Sequence, residues 1–200
     1  MEKVIGIDIG GTKINACLID SEGKIIESKK VPTQADKGRD VVINNILDAI
    51  KYLSYKEAIA IGIGTPGFID SDNGIVTFAG NIKGWTGLNL KDAIQSQIGL
   101  PVFVENDANI ALIAEKWIGA GKDYDNIVMI TLGTGLGGAV YTKEGKLLKG
   151  SHYQGAELGH IIIHPDGDYC TCTQHGCAES YCSGTAITCL LYTSPSPRDR

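Results

Sequence analysis

Short runs rich in Ile and Val, broken by glycines and small polar clusters, dominate the start of the chain. Lys3–Ile9, Lys13–Asp20 and Lys24–Val31 read as three strands separated by the Gly10-Gly11 turn and by Ser21-Glu22-Gly23, which predicts a β-meander. Asp40–Leu53 places Val41, Ile43, Ile46, Leu47 and Ile50 at helical spacing, and Ala58–Gly64 is a continuous apolar run of the kind that forms a strand buried on both faces. The stretch Thr65–Asn89 contains Pro66, Gly67, Gly74, Gly80, Gly84 and Gly87. It predicts a long loop with a short hairpin around Asp72-Asn73-Gly74, and loops of that length are usually functional. Leu90–Ile98 predicts a helix and Pro101–Glu105 a strand. Asp107–Ile118 predicts a second helix with Ile110, Ala111, Ala114, Trp117 and Ile118 on its apolar face, ended by Gly119 and Gly121.

The pattern repeats. Gly11-Thr12 recurs 122 positions later as Gly133-Thr134, and Glu22-Gly23-Lys24 recurs as Glu144-Gly145-Lys146. Ile25-Ile26 meets Leu147-Leu148 and Leu18 meets Val140, so in both copies a strand runs into a Gly/Thr turn and directly into another strand. A duplicated α/β fold accounts for this, with two equivalent lobes facing each other across a cleft. Residues 1–118 then form the N-terminal lobe with the first Gly/Thr turn and the long glycine-rich loop, and 119–189 form part of a second lobe that is incomplete. The last stretch, Leu190–Arg200, has neither helical nor strand periodicity, and Ser194-Pro195-Ser196-Pro197 is more like translated adapter read-through than coding sequence. It is expected to be an artefactual or disordered tail.

Composition narrows the partners. The 200 residues are 43% hydrophobic and 20% charged, which excludes a disordered chain. The net charge of −5 lacks the basic stripe that phosphate-backbone binding needs, so nucleic acid is not an expected partner. No apolar run reaches the ~18 residues of a membrane span. Glu2 and Asp8 interrupt the start before a signal-peptide core can form, which predicts a cytoplasmic protein without membrane partners. Five of the six cysteines lie in the last 31 residues, and in a cytosolic chain such a cluster points to metal before disulfides.

Several motifs carry chemistry. Asp8-Ile9-Gly10-Gly11-Thr12-Lys13 puts a carboxylate at a strand end, followed by amides that an anion can approach without meeting a Cβ, and then by the Thr12 and Lys13 donors. A nucleotide phosphate suits this turn, with Asp8 holding Mg²⁺ directly or through water; a plain hairpin turn is the alternative. It is not a P-loop, because GxxxxGK[ST] is absent and a strand follows. Gly133, Thr134 and Gly135 form the matching turn, and the strand after it argues against a dinucleotide fingerprint. Two such turns facing one cleft would grip a nucleotide's phosphates from both sides. Asp107, at a strand–helix junction, suits either a helix N-cap or a base that accepts a hydroxyl proton. His160, Cys170, Cys172 and Cys177 supply one imidazole and three thiolates, the donor set of a closed structural zinc site. His164 and His175 are weaker competitors, while Cys17, Cys182 and Cys189 fall outside the spacing and read as small apolar residues. Glu157 and Glu179 flank the metal ligands, either as solvated surface or as acceptors for vicinal sugar hydroxyls.

Taken together, DIGGTK at Asp8–Lys13, ENDAN at Glu105–Asn109, LGTGLGG at Leu132–Gly138, and GAELGH with CTCTQHGCAE within Gly155–Glu179 resemble the ROK (repressor, open reading frame, kinase) family of the actin-like ATPase, ribonuclease H-like fold. The resemblance covers Lys3 to about Ile187. It implies ATP-dependent phosphorylation of a hexose hydroxyl, with glucose to glucose 6-phosphate as the leading reaction. Fructose, N-acetylmannosamine, allose or a β-glucoside are alternative substrates, and polyphosphate is an alternative donor. It implies Asp107 as catalytic base, and Gly67, Asn81, Asn106, Glu157, His160 and Glu179, together with Asp107, as sugar-binding residues. It also implies ATP and Mg²⁺ at the two turns, structural Zn²⁺, and a homodimer in a longer protein. The part absent here would supply the adenosine pocket, so the 200-residue chain alone is expected to be inactive. A sugar-sensing repressor would carry a winged helix before the first strand, which here starts at Lys3; a zinc-stabilised sugar-binding module is the non-catalytic alternative. One departure stands out: Thr173 occupies the position after the second cysteine where the family usually has Gly, and some strain is expected there.

Overall fold

The computed structural model describes residues 1–193, which fold as two compact units, Met1–Lys122 and one starting at Asp123. In unit 1, strands β1 (Lys3–Ile9), β2 (Lys13–Asp20) and β3 (Ile25–Pro32) form the predicted antiparallel meander. Strands β4 (Ala60–Thr65) and β7 (Val102–Asn106) extend it in parallel, giving the order β3-β2-β1-β4-β7. Between them, β5 (Phe68–Asp70) and β6 (Ile75–Phe78) make the hairpin expected around Asn73.

One face of the sheet is the core. Ile5, Ile7 and Ile9 of β1, Ile14, Ala16 and Leu18 of β2, Ile61 and Ile63 of β4, and Val102 and Val104 of β7 are buried on alternating positions. They meet α1 (Arg39–Tyr52) through Val42, Ile46, Leu47, Ala49 and Ile50, and α2 (Leu90–Ile98) through Leu90 and Ile94. Each fully buried branched side chain adds roughly 1.5–3 kcal/mol. Val42 and Ala49 replace Val41 on the expected face of α1, so the helix is rotated slightly from the face its spacing suggests.

The last helix of unit 1, α3 (Asp107–Ile118), begins where β7 ends. Its buried residues are Ala108 and Leu112, whereas Trp117 and Ile118 are 47% and 52% exposed, which corrects the predicted apolar face. Gly64 of β4, lacking a side chain, lets the helix head settle close to the sheet. A Cβ at Gly64 would lie 3.4 Å from Ile110 Cδ1 and 3.7 Å from the Asp107 Cα.

Unit 2 repeats the meander with β8 (Ile127–Leu132), β9 (Leu136–Thr142) and the short β10 (Lys146–Leu147), in the order β10-β9-β8. It ends with α4 (Glu179–Cys182) and α5 (Gly184–Thr193). Residues 190–193 continue α5, against the expectation that no regular structure follows 189; the remainder of the expected tail, 194–200, lies outside the described residues.

Candidate functional site

In unit 1, three parallel strand ends share one edge. The register pairs Asp8 with Gly64, Gly64 with Glu105, and Thr65 with Asn106, so the first turn, the start of the long loop and the head of α3 are adjacent. The carboxyl ends of parallel strands are where open α/β sheets place their ligands. Asp8 is oriented by Asn15, its cross-strand partner, whose Nδ2 donates to Asp8 Oδ2 at 3.1 Å. Behind it, the Gly10–Lys13 turn is closed by Gly10 N–H donating to Lys13 O, and Thr33 Oγ1 donates to Gly10 O at 2.6 Å. Gly11, Thr12 and Lys13 are exposed, so a ligand can approach the turn.

The α3 head separates two roles that the sequence had left open for Asp107. Asn106 is the N-cap, its Oδ1 accepting from Asn109 N–H at 3.2 Å, so Asp107 is not spent on capping. Asn106 Nδ2 also donates to Gly67 O at 3.1 Å, which ties the head of the helix to the long loop. Glu105 Oε1 accepts from Asn109 Nδ2 at 3.1 Å and from Asn106 N–H at 2.9 Å. One Asp107 oxygen accepts from Ala108 N–H at 2.8 Å, and the side chain remains open to solvent. Crowding of protein around its carboxyl raises the Asp107 pKa above the usual carboxylate value. The Ala108 hydrogen bond opposes the rise and the nearby Asp8 charge adds to it. A carboxylate so placed is a stronger base than a free one.

Gly67 has φ +106, and a Cβ there would run into Phe78 O and come within 2.9 Å of Ala79 Cβ. Only glycine fits, because the chain doubles back against the segment that opens the 79–86 loop. Asn81 stands exposed on that loop between buried Ala79, Ile82 and Trp85.

Unit 2 holds the second turn and the Cys/His cluster. Gly133 N–H donates to Gly135 O across the turn, Gly184 N–H donates to Gly133 O at 2.8 Å, and Thr185 Oγ1 donates to Thr134 O at 2.8 Å. Gly133, Thr134, Gly184, Thr185 and Thr188 line one pocket at the start of α5. Gly184 and Thr185 were missed by the sequence reading, although Ser183-Gly184-Thr185 is itself a Gly/Thr turn opening a helix. Glu179 Oε2 accepts from Leu136 N–H at 2.8 Å, so this carboxylate braces the turn. Glu157 lies just before the short helical turn Leu158–His160, with its carbonyl accepting from His160 N–H.

The ligand atoms of His160, Cys170, Cys172 and Cys177 all lie within 4.8 Å of one another. Cys172 Sγ is 3.5 Å from Cys177 Sγ, and Cys170 Sγ is 3.6 Å from His160 Nδ1. Those separations are close to the edges of a tetrahedron with metal–sulfur bonds of about 2.3 Å. Burial raises the Cys170 thiol, but hydrogen bonds from the Cys172 backbone and side chain, Cys177 and His160 outweigh it and lower the pKa to about 7. Burial and the neighbouring thiols push Cys177 up to about 12. Three thiols this close cannot all ionise without a cation among them, so the donor set fits a metal ion. His164 and His175 stay outside the set, and His175 Nδ1 contacts Gly167 O instead. Cys182 and Cys189 also stay outside, but they are exposed rather than packed as small apolar residues. The loop is folded by Cys170 N–H donating to Gln174 O and Ile163 N–H donating to Gly176 O. Gly176 has φ +76 against the His164 carbonyl, and Thr173 has φ +77, so the expected strain is present.

A family model described as "ROK family" matches residues 4–198. The chain belongs to the ROK family. Among its relatives, this ROK chain is 45% identical over 190 residues to the glucokinase of Thermotoga maritima, covering 94% of this chain and 60% of that protein. It is 43% identical over 188 residues to the glucokinase of Streptomyces coelicolor, covering 94% and 58% respectively. The structure of a ROK glucokinase from Streptomyces griseus in complex with glucose and AMPPNP superposes with TM-score 0.83 at 41% identity, over 96% of this chain and 62% of that one. The fold is therefore the actin-like ATPase fold expected from the motifs, and the chain spans about 60% of the length of these relatives. Among the described residues, no helix is long and apolar enough to cross a membrane.

Proposed function

We propose that the complete protein phosphorylates a hexose with ATP, and that glucose is its substrate. The observation that carries this is Asp107: a solvent-reaching carboxylate of raised pKa, relieved of capping by Asn106, at the strand edge that also presents Asp8. The resemblance to ROK glucokinases supports the choice of sugar. In this reading Asp107 accepts the proton of the sugar hydroxyl as its oxygen bonds to the γ-phosphorus and the bond to ADP breaks. The rest of catalysis is positioning and charge stabilisation. Gly67, Asn81 and Asn106 of unit 1 and Glu157, His160 and Glu179 of unit 2 are the sugar-binding residues. The amides and hydroxyls of Gly10–Lys13 and of Gly133–Gly135 hold phosphate oxygens, and Asp8 holds Mg²⁺, which would neutralise phosphate charge. Zinc is the metal proposed for His160, Cys170, Cys172 and Cys177, since a Cys₃His set leaves no open position and serves structure. Holding His160 in this way also orients a sugar-binding residue.

The test is ADP release by the protein expressed with the additional length its relatives have, across glucose, fructose, N-acetylmannosamine, allose and a β-glucoside. Glucose is expected to give the highest kcat/KM. Sugar-independent or absent ADP release overturns the kinase reading, and a preference for another sugar overturns glucose alone.

A further inference from the structure

Asn81 is exposed, yet the loop that carries it is anchored more firmly than its glycine content suggests. Trp85 is 0% exposed, and its Nε1–H donates at 3.0 Å to the hydroxyl oxygen of Thr65, which is also 0% exposed. Thr86 Oγ1 closes the base of the loop by accepting from Ala79 N–H at 3.0 Å and donating to Ala79 O at 3.1 Å. Lys83 N–H donates to Ala35 O, fixing the outer side. Thr65 itself lies at the end of β4, in register with Asn106 and two residues before Gly67.

We infer that Thr65 and Trp85 are positioning residues that set Asn81 relative to the Asp107 end of the sheet, and so determine how tightly the sugar is held before reaction. This rests on the proposed sugar-kinase function and adds a positioning role for two fully buried residues. The Thr65–Trp85 hydrogen bond is the one polar link among the described residues between the buried anchor of the loop and the strand end that leads to Gly67. A buried indole N–H without an acceptor is costly, so losing that acceptor shifts the ring and with it the backbone around Asn81. Asn81 acts on the bound sugar equally before and during reaction, so displacing it raises KM and leaves kcat unchanged.

The experiment compares Thr65→Val, which keeps the shape and removes the acceptor, with Thr65→Ser, which keeps the hydroxyl and removes the methyl. Both are made in the longer protein, with melting temperature measured alongside sugar kinetics. Thr65→Val is expected to raise the sugar KM about tenfold, with kcat, its pH profile and the nucleotide KM unchanged, because a buried hydrogen bond is lost. Thr65→Ser is expected to restore the sugar KM to within about twofold, even where it melts earlier, since its acceptor remains. A serine variant as impaired as the valine variant, or a valine variant with unchanged sugar KM, overturns the positioning role while leaving the kinase reading intact. An unsubstituted protein with no sugar turnover removes both.

Discussion

The two meanders look alike but are held together differently. In unit 1 the turn between β1 and β2 spans four residues, from Ile9 to Ile14. In unit 2 the turn between β8 and β9 spans three, from Leu132 to Leu136. The repeat therefore slips by one residue at the turn, and the slip changes what stands beside it. Both turns are flanked by apolar residues, Ile9 and Ile14 in the first and Leu132 and Leu136 in the second, but Asp8 precedes the first and Lys13 lies within it, where the second has Thr131 and Gly135. The first turn is stapled by Thr33, which follows the end of β3 in its own meander, above a large aliphatic core. The second is stapled by Glu179, Gly184 and Thr185, all beyond the metal loop. Among the described residues of unit 2, Ala139, Cys170 and Cys177 are the buried hydrophobics, while Val128, Ile130 and Leu132 of β8 are 66%, 57% and 71% exposed. Unit 1 carries the apolar partners of its sheet within this chain, whereas unit 2, in a chain that spans about 60% of its relatives' length, leaves one side of β8 uncovered and is braced by hydrogen bonds from the segment that follows the cysteine cluster.

The sharpest break in this comparison is chemical. Asp107→Ala is expected to lower sugar phosphorylation by the longer protein by roughly 10³-fold or more, the scale of a lost general base, with metal content unchanged. Near-normal turnover removes Asp107 as base. The unsubstituted enzyme should lose activity as pH falls through the Asp107 pKa, which burial raises above an ordinary aspartate's, because the base must be ionised. Stability runs in the opposite direction. With the folded pKa raised, the folded state binds the proton more tightly than the unfolded one, so this group's contribution to stability declines as pH rises through the same window. Asp107→Asn should flatten that decline in denaturation curves measured across pH.

Metal removal comes next. Chelation, or Cys177→Ser, is expected to abolish hydrogen-exchange protection at Leu136, whose amide is held by Glu179, and at Gly184, whose amide donates back to Gly133, while the Gly10 amide stays protected. Equal loss at both turns would contradict the separate stapling. A smaller effect is expected from Thr33→Val, which removes the Thr33 hydroxyl hydrogen bond, about 1 kcal/mol, and should raise the nucleotide KM several-fold without altering metal content. The smallest is Thr173→Gly. A β-branched residue at φ +77 pays a left-handed penalty that exceeds glycine's extra chain entropy, so melting should show unit 2 stabilised by roughly 0.5–1 kcal/mol.

Much of this was readable from residues in order. Strands Lys3–Ile9 and Lys13–Asp20 and helices Leu90–Ile98 and Asp107–Ile118 appear with the bounds their apolar runs and glycines suggest, because those signals are local. The clustering of the cysteines was equally legible, since a tight turn brings Cys170, Cys172 and Cys177 together over a few residues. The buried face of α3 was not. Trp117 and Ile118 have the right spacing, but which side of the helix is covered depends on how it docks against Gly64 and the neighbouring strands. Nor was the capping assignment, because Asn106 and Asp107 are both good caps and the β7–α3 junction chose between them.

Chain order alone thus established the strand-and-turn repeat, the cysteine cluster and the ENDAN junction, all of them short-range patterns in which backbone preference and ligand spacing act within a few residues. Tertiary structure decided the rest. It freed Asp107 by giving the cap to Asn106, joined Glu179 to a turn 43 residues earlier, and buried Trp85 against Thr65, 20 residues away. Each of these depends on side chains that meet only after sheets and helices pack, when desolvation makes every unpaired buried group costly and so selects one set of partners.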